Sequence, residues 1–208
     1  KAFGIIAVVC ADGSMVEVAT YRADSPYADG RHPGAVAFTN AREDALRRDF
    51  TVNALFLDPD TGDICDFVGG RADLDARVIR AIGDPETRFT EDHLRLLRAV
   101  RFAAVLGFAI EPATFAAIRK LAPQIRRISA ERIRDELFRL LTEASQAGQA
   151  LQLLRDAGLL KEILPEVEAL VGVEQPPEFH PEGDVFTHVK LMLDAMPPNP
   201  SLRLALAV

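Results

Sequence analysis

The apolar pattern of this chain changes period once, near Gly69-Gly70, and that change limits the fold more than any other property. Before it, the apolar runs are short and rich in Val, Ile and Phe: Phe3 to Cys10, Met15 to Tyr21 and Phe50 to Leu57. Turn residues such as Asp12-Gly13 and Asp58-Pro59-Asp60 separate them, so they are predicted to be strands of a mixed sheet. Residues 25–39, with Pro26, Gly30, Pro33 and Gly34, have no period and are expected to form a long surface loop. After the change the spacing becomes helical. Thr90 is the expected N-cap of a helix with Glu91 and Asp92 in its first turn, ending at Gly107. Further helices are expected from Pro112, from Ser129 to about Leu141, and around Leu151–Leu154, Val167–Leu170 and Val185–Met196. The expected fold class is α+β, a sheet-bearing head followed by an all-helical part, with no internal repeat.

With 208 residues, 49% of them hydrophobic, the chain can bury a sizeable core as one large or two small domains. There is no apolar run long enough to cross a membrane as a helix and no leader pattern, so no membrane association is expected. Cys10 and Cys65 do not make a disulfide framework, and an intracellular, cytoplasmic setting is the expectation. The chain opens inside an apolar run and closes on another, Leu202 to Val208, so both ends are expected to be cut. Residues 95–134 carry nine Lys and Arg against two Asp and Glu, a net of +7 between flanks of −7 each. Such a basic island either meets phosphates locally despite the acidic total or is a solvated helix face; charge alone leaves both readings open.

Two constellations could carry chemistry. In Arg47-Arg48-Asp49-Phe50-Thr51-Val52-Asn53, paired guanidiniums suit a polyphosphate, because each fork can grip phosphate oxygens in bidentate fashion. Asp49 and Asn53 could hold a ribose hydroxyl or the edge of a metal site. A helix that ends in charged residues and enters a sheet has the same pattern, and spacing alone favours that plainer reading. In Glu91-Asp92-His93-Leu94-Arg95, continuing to Arg98 and Arg101, the side chains of Asp92 and the three arginines are expected to climb one side of a helix. Adenine and cytosine each present an amino donor beside a ring-nitrogen acceptor. A carboxylate and a guanidinium side by side fit both, and would meet guanine and uracil with like groups opposed. That mismatch, once buried, costs several kcal/mol. An i, i+3 ion pair worth about 0.3–0.5 kcal/mol is the commoner use of such spacing.

RRDFTVNALF, DFVGG at 66–70, EDHLRLLRAVRFA at 91–103 and ISAERIRDEL at 128–137, in this order, resemble the class II tRNA nucleotidyltransferase (CCA-adding enzyme) and bacterial poly(A) polymerase family of the polymerase-beta superfamily. The resemblance implies a partial palm-like head at 1–78, a helical neck at 79–142 that binds base and RNA, and the start of a helical body at 143–208. It implies ribose and triphosphate handling by Arg47, Arg48, Asp49 and Asn53, base reading by Glu91, Asp92 and Arg95, and further nucleotide contact from Arg98 and Arg101. Glu17 resembles the carboxylate that follows the family's metal pair. Arg126 and Arg127 are the expected RNA contacts, and the loop bearing Tyr27, Asp29, Gly30, Arg31 and Pro33 resembles the segment associated with switching between CTP and ATP.

The implied reaction adds CMP and AMP from CTP and ATP to the 3′ end of tRNA with Mg²⁺, and no obligate protein partner is expected. The family's Asp-x-Asp metal pair has no equivalent here and would lie N-terminal to Lys1; Asp58-Pro59-Asp60 reads as a turn, so this chain alone is expected to be inactive. His93 stands where many family members have proline. Phe179 to His188 resembles the opening of an HD-type helical domain, with His188 as a first metal ligand and its His-Asp partner beyond Val208. A poly(A) polymerase or A-adding enzyme, an HD-type phosphohydrolase and a non-catalytic RNA-binding module are the alternatives.

Overall fold

The computed structural model describes residues 5–24, 36–176 and 178–196. The class is α+β, but the strands form four two-stranded pairs among the described residues rather than the one mixed sheet expected. Strands β1 (Ile5–Val9) and β2 (Met15–Ala19) are an antiparallel hairpin. Its turn is closed by Asp12, whose carboxylate accepts from the Ser14 N–H and hydroxyl at 2.9 and 2.6 Å. Ile6, Val8, Val16 and Val18 share one face of this hairpin, and all four are exposed. Strands β3 (Arg22–Asp24) and β4 (Val36–Phe38) pair antiparallel. The expected CTP/ATP-switching residues, Tyr27 to Pro33, lie outside the described residues.

Helix α1 (Ala41–Leu46) is capped by the Asn40 side chain, which accepts from the Glu43 N–H at 3.0 Å. The strand expected from Phe50 to Leu57 is instead a 3₁₀ turn, Thr51–Asn53, followed by the short strand β5 (Leu55–Leu57). Side chains within the stretch explain the turn: Thr51 donates to Asp73 at 2.7 Å and Asn53 to Asp49 at 3.1 Å, which suits a turn better than a ladder. Strand β5 pairs with β6 (Ile64–Asp66) through the expected Asp58 turn, where Asp58 Oδ1 accepts from the Asp60 and Thr61 N–H groups.

The period change falls at the start of helix α2 (Gly70–Ala76). Asp66 accepts from the N–H groups of Val68, Gly69, Gly70 and Arg71, which gathers the first turn of the helix onto one carboxylate. Gly70 is required by contact, since a Cβ there would lie 2.3 Å from the Thr51 carbonyl oxygen. Strand β7 (Val78–Ile79) pairs in parallel with β8 (Ala109–Ile110).

The helix expected from Thr90 is two helices. Asp84 and Pro85 start α3 (Pro85–Glu91) earlier, with Asp84 accepting from the Thr87 N–H at 2.8 Å. Asp92 is extended, at φ −149° and ψ 107°, and accepts from the Leu94 N–H at 3.1 Å, capping α4 (Leu94–Leu106). Thr90 is therefore an end rather than a beginning; Gly107 ends α4 as expected. Helix α5 (Pro112–Leu121) leads to a 3₁₀ segment, Ala122–Arg127, then α6 (Ala130–Glu143), α7 (Ala147–Asp156), α8 (Leu160–Ile163), α9 (Pro165–Glu168) and α10 (Val185–Ala195).

Helix α4 is the hub. It is buried along most of its length and packs on α6 and α7. One core runs from Phe50 through Leu96, Val100, Leu140 and Leu151 to Leu193, while a small satellite holds Ala45, Ala54 and Ile82; the β1–β2 hairpin belongs to neither. No described helix is long and apolar enough to cross a membrane.

Candidate functional site

The two constellations meet where α1 ends and α3 and α4 begin. Arg47 and Arg48 both turn back onto Asp44, a buried carboxylate, at 2.5 and 3.0 Å. Arg47 Nε also donates to the Arg22 carbonyl at 2.8 Å, and Arg48 donates to the Asn53 carbonyl at 2.7 Å with its guanidinium over the Phe56 ring. The forks are therefore held by the protein as well as being cationic. Asp44 is a residue sequence reasoning missed, although its place three and four residues before two arginines is a legible signal.

Asp49 is buried beside them. Its Oδ1 accepts from Asn53, and its Oδ2 accepts from Arg98 of α4 at 2.7–2.8 Å. Burial pushes the Asp49 carboxyl up, but the Arg98 guanidinium, Asn53 and Arg95 outweigh it and hold the group below the usual carboxylate range, so it is an anion at neutral pH.

Arg88, also missed, ties the junction together. It donates to the carbonyls of Leu46 at 2.8 Å, Arg47 at 3.2 Å and Ile82 at 3.1 Å, and pairs with Glu91 at 3.0 Å. Arg95 is buried, pairs with Glu91, and donates to the carbonyls of Arg88 at 2.8 Å and Arg47 at 3.4 Å. The last carbonyls of α1 thus rest on cations of α3 and α4, which suits a helix C-terminus.

The expected band of Asp92, Arg95, Arg98 and Arg101 along one helix is not formed, because Asp92 sits at the corner between α3 and α4. Its carboxylate is held by Arg132 of α6 at 2.7 Å rather than by Arg95. Arg98 spans Asp49 and Glu136 of α6, the latter at 3.5 Å. Arg101 is 2% exposed, pairs with Glu136 at 2.5 Å and stacks on the Phe102 ring 4.1 Å away. Its guanidinium is thus held inside the core between α4 and α6. The pairing of Arg132 with Asp92 and of Glu136 with Arg98 and Arg101 went unread, since nothing in the sequence says which face of α6 meets α4.

Elsewhere the candidates stand apart. Glu17 lies on β2 opposite Ala7, exposed. Among the described residues the one group of three or more possible metal ligands is His180, Glu182 and His188, so Glu17 alone does not fit a two-ion Mg²⁺ centre. Arg126 and Arg127 are exposed; Arg126 is paired with Glu162 at 2.7 Å, while Arg127 has no ion pair among the described residues. His93 is buried with Nδ1 unbonded, and burial, with the nearby Arg127 charge, holds its pKa below the usual value. His188 lies in the first turn of α10.

The family description "Poly A polymerase head domain" matches residues 1–80, and "Probable RNA and SrmB-binding site of polymerase A" matches residues 107–170. The CCA-adding enzyme of Leuconostoc mesenteroides is 49% identical over 146 residues, which are 69% of this chain and 36% of that enzyme. The CCA-adding enzyme of Bacillus subtilis is 43% identical over 164 residues, 78% of this chain and 41% of that enzyme. The crystal structure of Bacillus stearothermophilus CCA-adding enzyme in complex with CTP superposes with a TM-score of 0.68 at 42% identity, covering 76% of this chain and 37% of that one. The chain thus spans 36–41% of the length of these curated relatives. A strand-bearing head joined through an arginine-rich seam to a helical part, on this likeness, is the fold of the polymerase-beta type of nucleotidyltransferase. Within that class, the chain belongs to the tRNA nucleotidyltransferase and poly(A) polymerase family.

Proposed function

We propose that this chain is the part of a template-independent RNA nucleotidyltransferase that binds CTP and ATP and presents them to the 3′ end of tRNA, to which CMP and AMP are added. The observation that carries this reading is the seam itself. Asp49 of the arginine motif is bonded to Arg98, and the Arg47 carbonyl to Arg88 and Arg95, so phosphate-suited and base-suited groups lie side by side. In this reading Arg47 and Arg48 meet the triphosphate, Asp49 and Asn53 meet the ribose, and Glu91, Asp92 and Arg95 present the base-reading edge. Arg132 holds the Asp92 carboxylate at a fixed angle before any base arrives. Adenine and cytosine would then be accepted by one pair of groups, and guanine and uracil would leave buried donors and acceptors opposed.

The proposed layout keeps residues 1–78 as head, 79–142 as neck and 143–208 as the start of a body. Glu17 belongs to the head's catalytic face, and Mg²⁺ would supply charge neutralisation at the triphosphate through further carboxylates that Glu17 alone does not provide. The RNA backbone would be met by Arg127 directly and by Arg126 in exchange for Glu162. The protein would work in the cytoplasm without an obligate protein partner.

Incorporation of labelled CTP and ATP into tRNA lacking its CCA end tests this, using the full-length protein with Mg²⁺ and with GTP and UTP as controls. C followed by A is the expected product. A alone would move the reading to an A-adding enzyme or poly(A) polymerase, and no incorporation by folded protein would sink it.

A further inference from the structure

The corner between α3 and α4 carries Glu91 and Asp92, and His93 follows them at the N-cap of α4. A side chain at such a position ordinarily accepts from the first N–H groups of its helix. His93 makes no cap bond and turns inward, 5% exposed, while Asp92 takes the Leu94 N–H at 3.1 Å. The ring faces the Phe89 carbonyl of α3, and its Nδ1 is buried with no hydrogen-bond partner among the described residues. Two charged groups face it as well: Arg127 of the 3₁₀ segment Ala122–Arg127, and Asp92, whose carboxylate Arg132 of α6 holds at 2.7 Å.

This setting suits one protonation state. A neutral imidazole leaves a lone pair unfilled there, whereas an imidazolium would bring a second donor and a charge to a place that offers Nδ1 no acceptor and sets a guanidinium nearby. The backbone shows what the packed ring can do. Asp92 is extended at φ −149° and ψ 107°, and His93 is already helical at φ −64° and ψ −17°. Changing this step would swing the imidazole out of its buried place, so close packing around the ring resists it. Proline at 93 would fix the same step covalently, because its ring locks φ near about −65° and drives the residue before it into the extended region.

We propose that His93 is a positioning residue for base selection: its neutral imidazole, buried against the end of α3, holds the turn that aims Glu91 and Asp92, and a proton on the ring releases that turn. The inference rests on the base-reading role given above to Glu91 and Asp92. It makes nucleotide choice depend on pH in one direction. Burial and the Arg127 charge hold the folded pKa of the ring below the ordinary 6.5, so above that value the ring is neutral and the turn is set. As the pH falls through the folded pKa the ring gains its proton, and selection of CTP and ATP over GTP and UTP weakens.

The test compares kcat/KM for CTP and ATP with kcat/KM for GTP and UTP, using full-length protein and tRNA lacking its CCA end, at about pH 8 and about pH 5.5. Titration of the triphosphate is common to all four nucleotides and cancels in the ratio. The wild-type ratio is expected to fall about tenfold or more between the two pH values, the worth of one well-placed hydrogen bond. His93→Ala, which removes ring and restraint together, should lower the ratio at both. His93→Pro should restore the ratio seen at about pH 8 and hold it at about pH 5.5, since it keeps the turn and has no proton to gain. Should His93→Pro fail to fold, as judged by circular dichroism, the neutral and non-titrating His93→Gln decides by the same flat profile. A wild-type ratio that does not change with pH, a fall that persists in the non-titrating variant, or a His93→Ala ratio equal to wild type would overturn the inference and leave the base-reading role standing. No discrimination by wild type even at about pH 8 would remove that role, and this inference with it.

Discussion

Asp92 shows how much one residue's surroundings decide. Spacing suggests a partner at Arg95, but the extended backbone at Asp92 turns its carboxylate to Arg132, leaving Arg95 to Glu91. The base-reading proposal then predicts that Asp92→Ala in the full-length protein lowers discrimination of CTP and ATP over GTP and UTP by roughly ten- to hundredfold, the worth of a charge-assisted hydrogen bond of about 1.5–3 kcal/mol. Arg132→Ala should do the same to a smaller extent by freeing the carboxylate. Competition assays with all four nucleotides check this, and an equal loss for all four would defeat it. His93 predicts a pH effect. Its folded pKa lies below the ordinary 6.5, so between the two values the unfolded chain binds more protons, and stability rises with pH across that window. Stability is full above about pH 6.5 and falls below it. Thermal melts of His93→Leu between about pH 7 and 5 should show a flatter slope than wild type; an unchanged slope would assign the effect to other groups.

At the scale of elements, the 66–70 stretch shows a motif explained by packing. Asp66 gathers four N–H groups and Gly70 lets α2 approach the Thr51 carbonyl, which positions the 3₁₀ turn carrying Asn53. Gly70→Ala should cost about 1–3 kcal/mol by overpacking, measured by denaturant unfolding, and, if Asn53 meets the ribose as proposed, should weaken nucleotide binding by displacing it. The helices after Gly107 were legible because Pro112, Ser129 and the apolar spacing mark them independently of the rest. The Phe50–Leu57 stretch was not, since its apolar composition is that of a strand while Asp73 and Asp49, one of them distant in sequence, draw it into a turn. The break at Asp92 was hidden likewise: carboxylates next to Thr90 fit a first turn as well as a corner. Of the site, both motifs could be read directly, whereas Asp44, Arg88, Arg132 and Glu136 declare themselves only once helices meet.

At the scale of the whole molecule, α4 is fastened to α6 by Arg101 and Glu136, a buried pair 2.5 Å apart. Removing one partner of such a pair leaves a buried charge uncompensated, so Glu136→Ala should destabilise by about 3–5 kcal/mol, readable as a lower denaturant midpoint. Because Arg98 also leans on Glu136, the proposed function further predicts that the same variant raises the KM for CTP of the full-length protein before it unfolds. The core that begins at Phe50 and ends at Leu193 leaves the β1–β2 hairpin outside it, apolar and exposed on Ile6, Val8, Val16 and Val18. In deuterated water this gives the chain two clocks. The amides of α4, α6 and α7 should exchange only through global opening, whereas those of Ile6 to Val18 should exchange through local fraying, orders of magnitude sooner. A single exchange rate across both would mean that the hairpin draws its stability from the core after all.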